Sequence, residues 1–178
     1  MTYYADIYER AADNYGLITS ADAKEMGIPV VELGKLYKRG RLNRVGHGVY
    51  RIFHYTPTAL DGYADAVALV GQGAYLFGES VLAMHNLAPT NPATIKVATP
   101  NIVRKKLPQY IVTITRKNDE QVTLYEGIPS QSVANAIRAN RKTMMSDRLL
   151  GAIQEARKQG LISKKEAADL SKEIHSGR

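Results

Sequence analysis

The chain has 178 residues, of which 24 are Lys or Arg and 17 are Asp or Glu, so its formal net charge is +7. A chain of this length holds one large domain or two small ones, and a hydrophobic fraction of 44% is enough for a substantial core. The positive charge favours a polyanionic partner. The absence of cysteine excludes both a disulfide framework and a thiolate metal site.

Secretion and membrane insertion are not expected. Residues 1–6 lack the basic region and apolar run of a secretory signal, and no apolar segment approaches the roughly 20 residues that a membrane span requires. We therefore expect a cytoplasmic protein without a membrane partner.

The first predicted element is a helix that ends near Gly16. Its apolar and aromatic residues recur at intervals of three and four, at Tyr4, Ile7, Tyr8, Ala11 and Tyr15. The short apolar run Leu17-Ile18 follows, and it can form the third strand of a small sheet.

Two short helices joined by a tight turn are predicted next. The first begins at Ser20, whose hydroxyl can cap it, and ends at Gly27. The second begins with Pro29, which suits the first helical position, and runs to about Arg39. Its apolar stripe consists of Val30, Leu33, Leu36 and Tyr37. This pattern is typical of a helix-turn-helix, whose second helix enters the DNA major groove.

A hairpin is predicted directly after the second helix. Residues 42–45 and 49–52 are strand-like, and Gly46-His47-Gly48 allows the positive φ values of a hairpin loop. A hairpin in this position is the wing of a winged helix. Residues 30–56 contain six Lys or Arg residues and one acid, so their net charge is 6 − 1 = +5. Phosphates attract such a surface.

Seven side chains of this segment are candidate DNA contacts: Lys35, Lys38, Arg39, Arg41, Arg44, His47 and Arg51. A basic helix and hairpin can also be no more than a solvated face, as most charge runs are. DNA binding is favoured because the charge coincides with the turn residues, the helical spacing and the glycine hairpin.

The segment resembles the N-terminal winged helix of the AbiEi family of antitoxins. The resemblance rests on Gly27-Ile28-Pro29, on the run from Lys38 to Val45 and most of all on Gly48-Val49-Tyr50-Arg51, and residues 80–87 extend it. It implies a bacterial antitoxin of a type IV abortive-infection system, a toxin–antitoxin system for phage resistance whose toxin is nucleotidyltransferase-like.

The resemblance also implies partners. The winged helix would bind inverted repeats of operator DNA and repress its own operon, and the rest of the chain would counter the toxin without requiring a stable complex with it. We expect a monomer in solution and leave cooperative binding on DNA open.

The second half of the chain is predicted to mix helices with strands. The predicted boundary at Thr56-Pro57 separates a winged helix over residues 1–56 from an α+β domain over residues 57–178. A helix is expected to start at Thr58, with Asp61 three residues on, and to run to Val70, and another is expected after Ser80, which would cap it.

Strands and then helices follow. The strand-like runs are residues 94–98, 110–115 and 122–125, and their alternation favours a small, mostly antiparallel sheet. Three C-terminal helices are expected to begin at Ser132, Ser146 and Ser163. The predicted fold class is therefore α+β.

A second basic region lies near the C-terminus. Residues 101–178 carry 15 basic and 8 acidic side chains, a net charge of 15 − 8 = +7. Arg104-Lys105-Lys106 fall in a connection between two strands. The candidates for countering the toxin are Arg138, Arg141, Lys142 and Arg148. A second DNA contact and a merely solubilising surface are the alternatives.

No catalytic, metal or cofactor site is predicted. Gly78-Glu79-Ser80-Val81-Leu82 has leucine where a nucleophile elbow needs its second glycine. Gly71-Gln72-Gly73 lacks the third glycine and the preceding strand of a dinucleotide fingerprint. The four histidines have no paired spacing suited to zinc. The protein is therefore not expected to be an enzyme.

Two rival functions remain open. A stand-alone winged-helix regulator would use its second domain to sense a ligand or to dimerise, and an enzyme would carry catalytic residues that no motif shows. A neighbouring gene for a nucleotidyltransferase-like protein would separate the antitoxin from the stand-alone regulator.

Overall fold

The computed structural model describes residues 3–116 and 121–177 and has the expected α+β fold. The chain divides into two compact units, Met1–Gln72 (unit 1) and Gly73–Arg178 (unit 2). This division lies one helix after the predicted boundary at residue 56. Whether residues 1–56 form a domain by themselves stays a prediction.

Unit 1 is a three-stranded winged helix followed by one further helix. Its elements are α1 (Tyr4–Ala12), β1 (Leu17–Thr19), α2 (Ser20–Glu25), α3 (Val31–Lys38), β2 (Leu42–Gly46), β3 (Val49–Ile52) and α4 (Asp61–Val70). The strand order is β1-β3-β2 with both pairings antiparallel, which confirms Leu17-Ile18 as part of the third strand. The core forms where α1, α2 and α3 cover this sheet, with Ile7, Ile18 and Leu33 fully buried.

The helix-turn-helix has its predicted elements but different start residues. Thr19, rather than Ser20, caps α2: its hydroxyl accepts the N–H of Asp22 at 3.0 Å, and the Asp22 carboxylate accepts the N–H of Thr19 at 2.8 Å. Ser20 is already helical. Gly27 ends the turn with a φ of +69°, as expected. Pro29 precedes the N-cap Val30 and is therefore not the first helical residue.

The wing has the predicted hairpin, but its two glycines have different roles. Gly48 takes a φ of +69°, so it supplies the left-handed residue of the loop. Gly46 has no positive φ but is closely packed, because a Cβ there would collide with the end of the Leu69 side chain of α4, which would have to move. The helix α4 also packs against β1. The wing is therefore supported from behind by a helix that follows it in sequence.

Unit 2 contains a five-stranded sheet and four helices among its described residues. The elements are β4 (Tyr75–Leu76), α5 (Glu79–Met84), β5 (Ile95–Thr99), β6 (Ile111–Thr115), β7 (Val122–Tyr125), β8 (Ile128–Gln131), α6 (Val133–Ala139), α7 (Ser146–Lys158) and α8 (Lys164–Ser176). The strand order is β6-β5-β4-β8-β7. β4–β5 and β7–β8 are antiparallel, whereas β5–β6 and β4–β8 are parallel. The sheet is therefore mixed rather than mostly antiparallel.

Two strands of this sheet have no clear sequence pattern. β4 has only two residues, which is too short to show alternation. β8 contains Pro129, a residue that argues against a strand inside a sheet. Pairing on both sides overrides this local preference, because Ser130 aligns with Leu76 of β4 and with Thr123 of β7.

Two of the four predicted caps of unit 2 are wrong. Ser80 lies inside α5 and is fully buried, and its hydroxyl accepts the N–H of Lys96 at 2.8 Å. Ser146 is the first residue of α7, whose N-cap is Met145. Ser132 and Ser163 are confirmed as caps, and Ser163 forms the predicted capping box with Glu166. Over residues 3–116 and 121–177, no helix has the length and apolar character needed to cross a membrane.

Candidate nucleic-acid interface

The helix α3 has one face in the core and the opposite face in solvent. Leu33 and Leu36 are buried, 0% and 8% exposed. With 3.6 residues per turn, the side chains opposite to them are Val31, Lys35 and Lys38, and all three are exposed. The outer face therefore begins with an apolar residue and continues with two cations.

The cations of α3 and of the loop after it have different partners. The Lys35 Nζ contacts a carboxylate oxygen of Glu32 at 2.7 Å, so this charge is partly compensated. The Arg41 guanidinium lies over the Tyr4 ring at 5.5 Å from its centroid. Lys38 and Arg39 are exposed, and within the described residues neither side chain forms a hydrogen bond or an ion pair.

The wing adds one free cation on the side of α3. Arg44 of β2 aligns with Tyr50 of β3, so their side chains share a face of the hairpin. The Tyr50 ring lies 6.2 Å from the ring of Tyr37 in α3. The Arg44 Nε donates to the Gly46 carbonyl at 3.4 Å, while its side chain stays exposed. His47 is exposed in the hairpin loop.

Arg51 lies in a different environment from the other candidates. Its side chain is 18% exposed and forms an ion pair with Asp65 of α4. Its Nε donates to the Tyr15 carbonyl at 3.1 Å, and its guanidinium lies 5.1 Å from the Tyr55 ring centroid. The charge of Arg51 is therefore compensated inside unit 1, where it joins β3, α4 and the turn after α1.

The network behind Arg51 continues through Tyr55. The Tyr55 hydroxyl donates to Asp61 at 2.8 Å, and burial together with this bond raises the pKa of Tyr55. Burial alone would raise the pKa of Asp61, but hydrogen bonds from Thr58 and Tyr55 outweigh it and lower that pKa. These contacts hold the segment after the wing against unit 1.

Residues 6–52 match the family of transcriptional regulators described as AbiEi antitoxins. The matched stretch runs from α1 to the last residue of β3, and it confirms the resemblance for this part of the chain. It contains every candidate DNA contact. The family is one of regulators rather than enzymes.

Two further comparisons bear on the whole chain. A solved structure, the RV2827C protein from Mycobacterium tuberculosis, aligns with 96% of this chain and 81% of its own at 14% identity and a TM-score of 0.40. The comparison with curated proteins gave no match.

Two tyrosines and a valine also lie on α3 and the wing beside the candidate cations, although the charge pattern did not single them out. Tyr37 was expected in the buried stripe but is 45% exposed, and its ring lies next to the ring of Tyr50. Val31 is 62% exposed. The signal for Tyr37 was its position at the margin of the stripe, where an amphipathic side chain can cover the core and still present its hydroxyl.

The C-terminal candidates separate into paired and unpaired cations. The Arg138 Nε and Nη2 donate to the Glu173 carboxylate at 3.0 Å, and Arg141 Nη2 donates to the Glu173 carbonyl at 2.8 Å. The bonds to Glu173 raise the pKa of Arg138 and lower that of Glu173. Arg138 and Arg141 therefore link α6 and the turn after it to α8. Lys142 and Arg148 are exposed and have no ion pair within the described part of the chain.

Unit 2 also contains a basic cluster in a connection and a buried histidine. Arg104-Lys105-Lys106 lie in the connection between β5 and β6 as predicted, and burial lowers the pKa of Lys105. His85 is 7% exposed, contacts the Tyr125 ring in a tilted arrangement with ring centroids 4.0 Å apart, and has its pKa lowered by burial. In residues 3–116 and 121–177, no three His, Asp or Glu side chains are grouped as a metal site.

Proposed function

We propose that the protein is a transcriptional regulator that binds operator DNA through α3 and the β2–β3 wing and represses its own operon. The supporting observation is that Lys38, Arg39 and Arg44 are exposed, form no ion pair within the described residues, and lie within the stretch that matches AbiEi regulators. A recognition helix enters the major groove, and cations at its end and on the wing neutralise the flanking phosphates.

The seven predicted contacts then have different roles. Lys38, Arg39, Arg44 and His47 face solvent and contact phosphates directly. Lys35 stays paired with Glu32 and contributes a partly compensated charge to this surface. Arg41 and Arg51 hold unit 1 together through Tyr4 and Asp65, and Arg51 acts on DNA only by positioning β3.

The test is binding to the DNA upstream of the protein's own gene. The Lys38→Ala, Arg44→Ala double variant should bind this duplex at least roughly tenfold more weakly, because each change removes a charged contact, and should no longer repress a reporter. The matched control is Lys164→Ala, Lys165→Ala, which removes two exposed cations at the start of α8. Unchanged binding by the first variant would refute the assignment of the surface.

We further propose that unit 2 counters a nucleotidyltransferase-like toxin, so that the protein acts as a type IV antitoxin. Support comes from the antitoxin family matched by residues 6–52. Because Arg138 and Arg141 are engaged with Glu173, the side chains free to act are Lys142 and Arg148.

The antitoxin proposal is tested in cells that express the toxin from a separate promoter. Lys142→Glu, Arg148→Glu should abolish protection while operator binding is retained. Lys164→Glu, Lys165→Glu makes the same charge change elsewhere and should protect fully. Full protection by the folded first variant would exclude these two residues from the antitoxin function.

A further inference from the structure

The first turn of α3 presents an apolar side chain to solvent. Val31 is the first helical residue and is 62% exposed, and it lies on the side of the helix opposite to Leu33 and Leu36. This line of the helix is the one that would point into the groove. A large apolar side chain at this position therefore meets whatever the recognition helix contacts.

Val31 has one polar side chain beside it on this turn. The neighbouring polar side chain, Glu32, is occupied by Lys35 at 2.7 Å. One turn further along, Gly34 has no side chain, and a Cβ built there would have no atom within 4 Å. The first turn thus offers an apolar contact and room for close approach of the backbone.

The chemistry of base edges limits what such a turn can distinguish. The N-terminal residues of a recognition helix contact bases in the major groove. In the major groove, the edges of adenine, guanine and cytosine present hydrogen-bond donors and acceptors. Thymine alone also presents a methyl group, at C5. An apolar side chain without a donor or acceptor distinguishes bases through that methyl.

We propose that Val31 is a specificity-determining residue that contacts a thymine methyl, so that each half-site contains one T·A pair selected by this contact. The proposal rests on the proposed DNA-binding function. It assigns sequence selection to the start of α3 and phosphate contact to Lys38, Arg44 and the wing.

The experiment uses the full chain and a duplex selected by it from a random pool. Each thymine of the selected duplex is replaced in turn by uracil, which removes only the methyl. One position per half-site should lose roughly fourfold in affinity, the effect of one methylene-sized group. Val31→Ala should bind the thymine and uracil duplexes equally at that position and keep the discrimination of the wild type elsewhere. Val112→Ala, which changes an exposed valine of β6, is the matched control.

A second arm restores the methyl on another base. At the same position, a 5-methylcytosine·G pair should bind the wild-type protein more tightly than a cytosine·G pair, and Val31→Ala should not distinguish the two. Equal thymine and uracil affinities at every position, or discrimination retained by Val31→Ala, would overturn the inference while DNA binding stands. Failure to select any duplex, with no DNA binding at low salt, would overturn the proposed function and this inference with it.

Discussion

At the scale of single residues, two arginines of the wing that look equivalent in sequence differ in their partners. Arg44 is exposed, and its Nε donates to the Gly46 carbonyl on the same strand at 3.4 Å. Arg51 is bound to Asp65 and to the Tyr15 carbonyl. A cation contributes to the salt dependence of DNA binding only when it neutralises a phosphate. Replacing Arg44 should therefore affect mainly DNA affinity, and replacing Arg51 should affect mainly the stability of the fold.

The first prediction compares these two arginines. Arg44→Ala should flatten the slope of log K against log[salt] by about 0.9, the value for one lost phosphate contact on duplex DNA. Arg51→Ala should leave the slope nearly unchanged and lower the free energy of unfolding by about 1–3 kcal/mol, because Asp65 loses its partner. Anisotropy titrations at several salt concentrations and urea unfolding measure both. An equal loss of slope in both variants would place Arg51 on the DNA.

Gly34 allows a second residue-scale prediction. Gly34→Ala should raise the free energy of unfolding by up to about 1 kcal/mol, because alanine is the better helix former and the added methyl meets no neighbour. The same methyl lies on the side of α3 that we propose approaches DNA, so operator affinity should fall. Thermal unfolding and binding of the selected duplex test the two effects. Higher stability with unchanged affinity would show that α3 does not approach the groove along Gly34.

At the scale of elements, the wing depends on a helix outside it. The Leu69 side chain of α4 occupies the space that a Cβ at Gly46 would need. Gly46→Ala should therefore destabilise the protein by about 1–3 kcal/mol through overpacking. In a Leu69→Ala background the same change should cost much less. A double-mutant cycle by urea unfolding measures this coupling, and additive effects of the two changes would contradict the contact.

The link between α6 and α8 gives a pH-dependent prediction. Hydrogen bonds from Arg138 lower the pKa of Glu173 below its ordinary value of 4.5. The folded state therefore binds this proton less tightly than the unfolded state does. The stabilisation is complete above pH 4.5 and is lost as the pH falls through the folded-state pKa. Glu173→Gln should reduce the loss of stability on that acid side, measured by urea unfolding between pH 3 and 6. An identical pH profile would contradict the ion pair.

At the scale of the whole molecule, the proposed function has one winged helix contact one half-site of the operator. A protein that is monomeric in solution should bind a duplex with an inverted repeat as two molecules, and a duplex with a single half-site as one. Light scattering of the free protein and native mass spectrometry of the complexes measure these stoichiometries. A stable dimer without DNA would contradict this prediction and favour a dimerising role for unit 2.

The features that depend on residues close together in the chain were predictable from the sequence. The turn glycines Gly27 and Gly48, the capping box of Ser163 with Glu166 and the buried Leu33 of α3 all follow from groups a few residues apart. The turns and the capping box depend mainly on local chemistry, and the spacing of the apolar residues indicated which side of α3 would be buried. The order of the winged-helix elements and the basic character of its outer face were predictable for the same reason.

Which cations are free depends on how the helices and strands pack. Arg51 pairs with Asp65 at a sequence separation of 14, and Arg138 pairs with Glu173 at a separation of 35. No local pattern marks such partners, because they meet only after the helices pack. The same holds for β8, which becomes a strand through pairing on both sides despite Pro129. Composition therefore indicated that the surface charge is positive, and packing determined which cations remain available to a partner.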